Sequence, residues 1–255
     1  MKTNAKGIRP SFVMACAASR ELAGKNVAFI GVGIPMVAAY LAQRIHNPEL
    51  RMVIELGVVA PKAERLPLAL TDPTLVKNAN CTCDMLTSLG VLLHYVDIGF
   101  IGGAQVDKYG NLNTTVIGDY YNPTARLVGS GGANDIASIA KTYVIVMKQK
   151  KDRFVEKVDY VTTVGHYKGY NSRKSLGLRG SGPQCIISDM AVFRFDETSK
   201  ELYIESYHPT FTLDQVQENL GYNVKVSPDV KETALPTPQE LTILNEMDPS
   251  GYYLG

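Results

Sequence analysis

Three times in this chain a run of apolar residues stops at a glycine turn, and two of those turns lead into helical sequence. Asn26–Ile30 runs into Gly31-Val32-Gly33-Ile34-Pro35, Val96–Ile101 into Gly102-Gly103-Ala104-Gln105, and Val128 into Gly129-Ser130-Gly131-Gly132-Ala133-Asn134. Few folds accommodate that repetition. Strand, turn, helix and strand in succession give parallel strands joined by right-handed crossovers. The opening follows this rule: a helix from Pro10 with Ser11 as its cap, a strand at Asn26–Ile30, a helix at Pro35–Ile45, and a buried strand at Met52–Ile54. The expected class is α/β, an open, mostly parallel sheet sandwiched by helices.

Further along, Leu56–Asn80 is long and irregular, with Pro61, Pro67 and Pro73, a length that inside a compact domain usually serves function. Asp84–Tyr95 reads as a helix, Leu112–Ile117 as a strand, Asp119–Arg126 as turns, Ala133–Ala140 as a helix and Thr142–Met147 as a strand. Beyond Val164 the texture changes. Glycines punctuate a loop, and Cys185–Ser188, Ala191–Phe195 and Leu202–Tyr207 form an antiparallel meander, the small antiparallel C-terminal part of the fold. Thr212–Leu220 is a helix with Thr212 and Gln215 at capping-box spacing, closed by Gly221. Residues 1–255 are read as a single domain, long enough to bury a sizeable core.

Charge excludes several classes of function. Twenty-six basic residues against 25 acidic leave a formal charge of +1, without the clustered excess that nucleic acid or an anionic membrane surface requires. Lys148-Gln149-Lys150-Lys151 is read as a solvated strand end. Cys81-Thr82-Cys83 lacks a second ligand pair, so no metal is expected, and the four cysteines are read as buried free thiols. No secretory signal or membrane span is recognised, and a cytoplasmic location is expected.

Glu55 is the candidate reactive group, standing at the carboxyl end of a buried strand, where open α/β sheets place their ligand crevice. Two readings compete for it. Gly31-x-Gly33 followed by an acid 22 positions later imitates a dinucleotide fingerprint, with Glu55 on a ribose hydroxyl. Against this, Met36 occupies the place of the third glycine, and Pro35 removes an amide from the phosphate-facing turn. In the second reading the three glycine turns bring backbone amides to an acyl group attacked by a carboxylate nucleophile.

Longer blocks carry a family likeness. Val53-Ile54-Glu55-Leu56-Gly57, the run from Gly102 through Asn111-Leu112-Asn113-Thr114-Thr115, Ile117-Gly118-Asp119-Tyr120, Gly129–Asn134 and Glu218-Asn219-Leu220-Gly221-Tyr222 resemble the β subunits of the glutaconate CoA-transferase branch of the class I CoA-transferases. The likeness covers nearly the whole chain. It implies the CoA-transferase fold and reversible movement of CoA between carboxylic acids. It places the catalytic glutamate on Glu55, and oxyanion or CoA contacts on Gly131 and Gly132 of the third glycine turn; Gly33, in the first turn, is a further candidate for such a contact from the reading of the turns themselves. Coenzyme A enters as substrate and covalent intermediate, with no cofactor bound permanently. An α subunit on a separate chain is the expected partner, in an (αβ)n assembly. Ketoacid-type members carry Ser-Glu-Asn-Gly where this chain has Ile54-Glu55-Leu56-Gly57, which leans away from short 3-oxoacids and towards a dicarboxylate such as glutaconate. Loop position makes Gln105, Asn113, Tyr120 and Arg126 candidate substrate liners, with Tyr121, His94 and Lys168 behind them, and Arg126 suits a distal carboxylate through its planar fork. The alternatives are an acyl-CoA hydrolase or lyase on the same scaffold, and a non-catalytic metabolite-binding module.

Overall fold

The computed structural model describes residues 7–255. Helix α1 (Pro10–Arg20) opens with proline at its first position, where a missing N–H costs nothing. Ser11 does not cap it, contrary to expectation: its hydroxyl donates instead to the Leu254 carbonyl at 2.7 Å and ties the two ends of the chain together. Strand β1 (Val27–Ile30), helix α2 (Ile34–Leu41) with a π-helical extension, and strand β2 (Arg51–Ile54) follow as the alternation predicts.

The long segment after β2 holds two short strands, β3 (Val58–Val59) and β4 (Cys81–Thr82). Next come β5 (Ile98–Ile101) and two hairpins, β6 (Gln105–Val106) with β7 (Leu112–Asn113) and β8 (Val116–Gly118) with β9 (Pro123–Arg126). The segment Leu112–Ile117, read as one strand, is therefore two strands in separate sheets. Asn113 divides it, because its side chain accepts from the Thr115 and Val116 amides and donates to the Val116 carbonyl, which turns the chain. Helix α3 (Ala133–Ile139), strand β10 (Tyr143–Val146) and a short helix α4 (Ser172–Ser175) lead to the meander β11 (Pro183–Ile187), β12 (Ala191–Phe195) and β13 (Leu202–Tyr207). Helix α5 (Leu213–Glu218) has the expected capping box, and β14 (Lys225–Glu232) and α6 (Pro238–Met247) close the fold.

Ten strands share one sheet in the order β14-β13-β12-β11-β10-β5-β1-β2-β3-β4. Its centre, β11 through β2, is parallel, and the meander and the β2–β3–β4 edge are antiparallel. The buried strands alternate between two cores. Ala28, Ile30, Met52 and Ile54 pack with α1, α2 and α6, while Phe29, Val53, Tyr143 and Ile145 pack with α3 and α5. Burying each of the larger of these side chains contributes about 1.5–3 kcal/mol. The parallel strands all point their carboxyl ends at one edge, and that edge carries Glu55. Among the described residues no helix is long and apolar enough to cross a membrane.

Candidate active site

At Ile54 the chain leaves β2 and reverses at once. The Gly57 amide donates to the Ile54 carbonyl at 2.8 Å and Val58 pairs back onto Ile54, so Glu55 and Leu56 stand in a three-residue hairpin connection. Gly57 has φ +87°, and a Cβ there would lie 1.9 Å from the Cys83 carbonyl oxygen, so only glycine fits. Cys83 donates its amide to the Gly57 carbonyl at 2.8 Å, and the buried Ser88 hydroxyl donates to the Ile54 carbonyl at 3.3 Å. The backbone beneath Glu55 is thus pinned from three directions.

The Glu55 side chain reaches across to the third glycine turn. The Gly132 amide donates to Glu55 Oε1 at 3.0 Å, and among the described residues the other carboxylate oxygen accepts nothing. A Cβ built on Gly131 or Gly132 would stand 3.5 or 3.3 Å from Oε1, so the two glycines form the wall against which the carboxylate lies. They differ in backbone. Gly131 has φ +49°, in the left-handed region, whereas Gly132 has an ordinary helical conformation at φ −77°.

Around this pair opens a cleft of about 700 Å³, lined by Gly31 after β1, Gly102 and Gly103 after β5, the Gly129–Gly132 turn, Thr114, Arg126 and Arg153. All three glycine turns seen in the sequence therefore meet there. Gly33 stands outside the lining, at the start of α2, where its carbonyl accepts from the Met36 amide at 3.0 Å. Met36 is wholly buried in the core beneath α2. It fills the space a dinucleotide fingerprint reserves for its third glycine.

The other candidates separate. Gln105 and Asn113 are buried and bonded to each other at 2.7 Å across the β6–β7 hairpin, with Gln105 also donating to Asp159, so they close that hairpin and do not line the cleft. Tyr120 stacks on Tyr160 with ring centroids 5.3 Å apart. Arg126 lies on the lining, its guanidinium 4.8 Å above the Tyr120 ring and donating to the Tyr120 carbonyl at 2.5 Å. Tyr121 and His94 are exposed outside the cleft, and Lys168 borders a separate cavity. Sequence reasoning passes over Arg153, which follows the Lys148–Lys151 run as one more basic residue. Only its place beyond β10, in the sheet's carboxyl edge, could have marked it.

Cys16 and Cys185 are buried, but Cys81 is exposed on the edge strand β4 and Cys83 is half-buried, so the reading of four buried thiols holds for two of them. Burial, with Asp84 beside it, pushes the Cys83 thiol up and keeps it protonated next to the Glu55 turn. Among the described residues no group of three acidic, histidine or cysteine side chains could hold a metal ion.

The coenzyme A transferase family profile matches residues 86–219, a span that begins after Glu55. One subunit of the 3-oxoadipate CoA-transferase of Pseudomonas knackmussii is 41% identical over 242 residues, 92% of each chain. The corresponding subunit of the glutaconate CoA-transferase of Acidaminococcus fermentans is 35% identical over 250 residues, 95% of this chain and 93% of that one. The crystal structure of glutaconate CoA-transferase from the same organism superposes with a TM-score of 0.90 at 33% identity, over 96% of this chain and 97% of the matched one. With sequence and fold both matched over more than nine-tenths of its length, the chain belongs to the coenzyme A transferase family.

Proposed function

We propose that residues 1–255 act as one domain, the nucleophile-bearing subunit of a two-subunit CoA-transferase, with an α subunit on a separate chain as partner. Glu55 is its nucleophile. The observation that carries this reading is the 3.0 Å hydrogen bond from the Gly132 amide to Glu55 Oε1, in a glycine-walled cleft at the carboxyl edge of a parallel sheet. It holds one carboxylate oxygen and leaves the other free to attack.

A carboxylate in water is a weak nucleophile because hydration stabilises it, and a closed cleft replaces that hydration with fixed dipoles. The free Glu55 oxygen attacks the thioester carbonyl, the C–S bond breaks, and CoA leaves as thiolate from a mixed anhydride. The thiolate then attacks the Glu55 carboxyl carbon. Charge develops on Oε1, which the Gly132 amide already faces, and the first acid departs carrying the other glutamyl oxygen. Glu55 is left as a thioester of CoA. An acceptor carboxylate runs the same steps in reverse, so the kinetics are ping-pong. Both relatives above are named for dicarboxylic acids, which supports a dicarboxylate substrate here, with or without a 3-oxo group. Two guanidiniums, Arg126 and Arg153, stand on the cleft lining, and a guanidinium fork is suited to a second carboxylate.

The deciding experiment is a half-reaction. The reconstituted pair, mixed with acyl-CoA and no acceptor acid, is expected to release one equivalent of free acid per site and then stop. Continued release would identify a hydrolase, and no release a binding module.

A further inference from the structure

We propose that Arg153 is a specificity-determining residue of this cleft, binding the second carboxylate of an acid whose first carboxylate reacts at Glu55. The proposal rests on the CoA-transfer reading above and assigns its substrate class to a residue.

Three observations converge on Arg153. First, its backbone is fixed. Its carbonyl accepts from the Val106 amide at 2.7 Å, its own amide donates to the Lys150 carbonyl at 3.0 Å, and the next residue, Phe154, is wholly buried. The side chain therefore leaves a rigid point. Second, Arg153 is half-buried on the cleft lining, whereas its neighbours Lys148, Lys150 and Lys151 are exposed. Third, among the described residues its guanidinium has no hydrogen-bond or ion-pair partner, although Asp152 is adjacent in sequence. The other cationic liner, Arg126, is exposed and already donates to the Tyr120 carbonyl. A guanidinium that is partly desolvated and unpaired is unfavourable until an anion arrives, and a carboxylate matches its fork with two parallel hydrogen bonds.

Glu55 and Arg153 line the same cleft of about 700 Å³, Glu55 from the end of β2 and Arg153 from the segment held against β6. A diacid seated in that cleft can present one carboxylate to each, whereas acetate has no second carboxylate for the guanidinium. The phosphates of CoA offer the same charge chemistry, so the test must separate acid from CoA.

The assay uses the reconstituted two-subunit enzyme with one acyl-CoA donor and two acceptors of equal carbon count, glutaconate and 2-pentenoate. The readout is the ratio of their kcat/KM values. The wild type is expected to favour the diacid. Arg153→Gln should lower the ratio about tenfold to a hundredfold, the weight of one charge-assisted carboxylate contact, and Arg153→Lys should fall between. Thermal unfolding checks that the variants fold, and if the glutamine variant does not, the lysine variant decides on the same ratio. An unchanged ratio overturns the proposal. So does a KM for the CoA donor that rises equally with either acceptor, which would place Arg153 on a CoA phosphate. Failure of the wild type to transfer CoA to any acid would instead bring down the underlying reading.

Discussion

Gly131→Ala and Gly132→Ala, neighbours in one turn, should fail in opposite ways. At Gly132, the residue that caps α3, φ is −77°, so alanine is tolerated by the backbone, though it caps a helix less well than glycine. Its methyl would lie 2.6 Å from Leu89 Cδ2, the end of a flexible side chain that can turn away, and 3.3 Å from Glu55 Oε1, close enough that the carboxylate must give by a few tenths of an ångström. The predicted result is a near-normal melting temperature with the Gly132 amide pushed off the carboxylate. Losing one such donor lowers turnover about 10²–10³-fold, or about 2.7–4 kcal/mol. At Gly131 the order reverses. A residue at φ +49° pays about 1–2 kcal/mol for the left-handed conformation, while its methyl at 3.5 Å from Oε1 is an ordinary contact. That variant should melt a few degrees lower and keep most of its turnover. The assay is kcat of the reconstituted pair beside thermal unfolding of each variant. Gly132→Ala with turnover within threefold of wild type and an unchanged melting temperature would refute the role given to this amide.

Gly57→Ala should be among the most damaging single substitutions, because the methyl meets backbone at 1.9 Å and the φ of +87° disfavours any side chain; a loss of more than about 4 kcal/mol in chemical denaturation is expected. Two buried histidines make stability fall in mild acid. Burial lowers His208 and His166 to about 4, so both are neutral in the folded protein and their contribution is complete above the ordinary value near 6.5. It is lost as pH falls from there towards 4, about 2 kcal/mol per histidine by pH 5, because the unfolded chain takes up the protons. His208→Gln should therefore flatten the pH dependence of the urea midpoint between 7 and 5, and an unaltered slope would contradict this. The purified chain without its α subunit should transfer no CoA, as followed by chromatography of the acyl-CoA pool.

Much of the fold is legible in the sequence because its elements are organised by burial. Runs such as Val27–Ile30, Ile98–Ile101 and Tyr143–Val146 are continuous and apolar because helices or hairpins cover both faces of the central sheet. Leu112–Ile117 is rich in β-branched residues and reads as one strand, yet the Asn113 side chain supplies local hydrogen bonds that outcompete one straight strand. Strand β14 is missed altogether. It is an edge strand, mostly exposed, with Pro228 inside it, so it has neither an apolar period nor a need for every amide to be paired. Within the site, Glu55 and the three glycine turns are readable because strand ends and φ freedom leave local marks. Gln105 and Asn113 read as pocket liners by loop position, but each satisfies the other in the interior. Arg153 leaves no mark, since what distinguishes it from Lys150 and Lys151 is burial by segments distant in sequence.

The central claim is that acyl transfer passes covalently through Glu55. Incubating the reconstituted pair with acyl-CoA, quenching with hydroxylamine, and mapping peptides by mass spectrometry tests it most directly. A hydroxamate on Glu55, absent without acyl-CoA and absent from an inactive Glu55→Gln variant, is the predicted result. An unmodified Glu55 in an enzyme turning over acyl-CoA under the same conditions would contradict it.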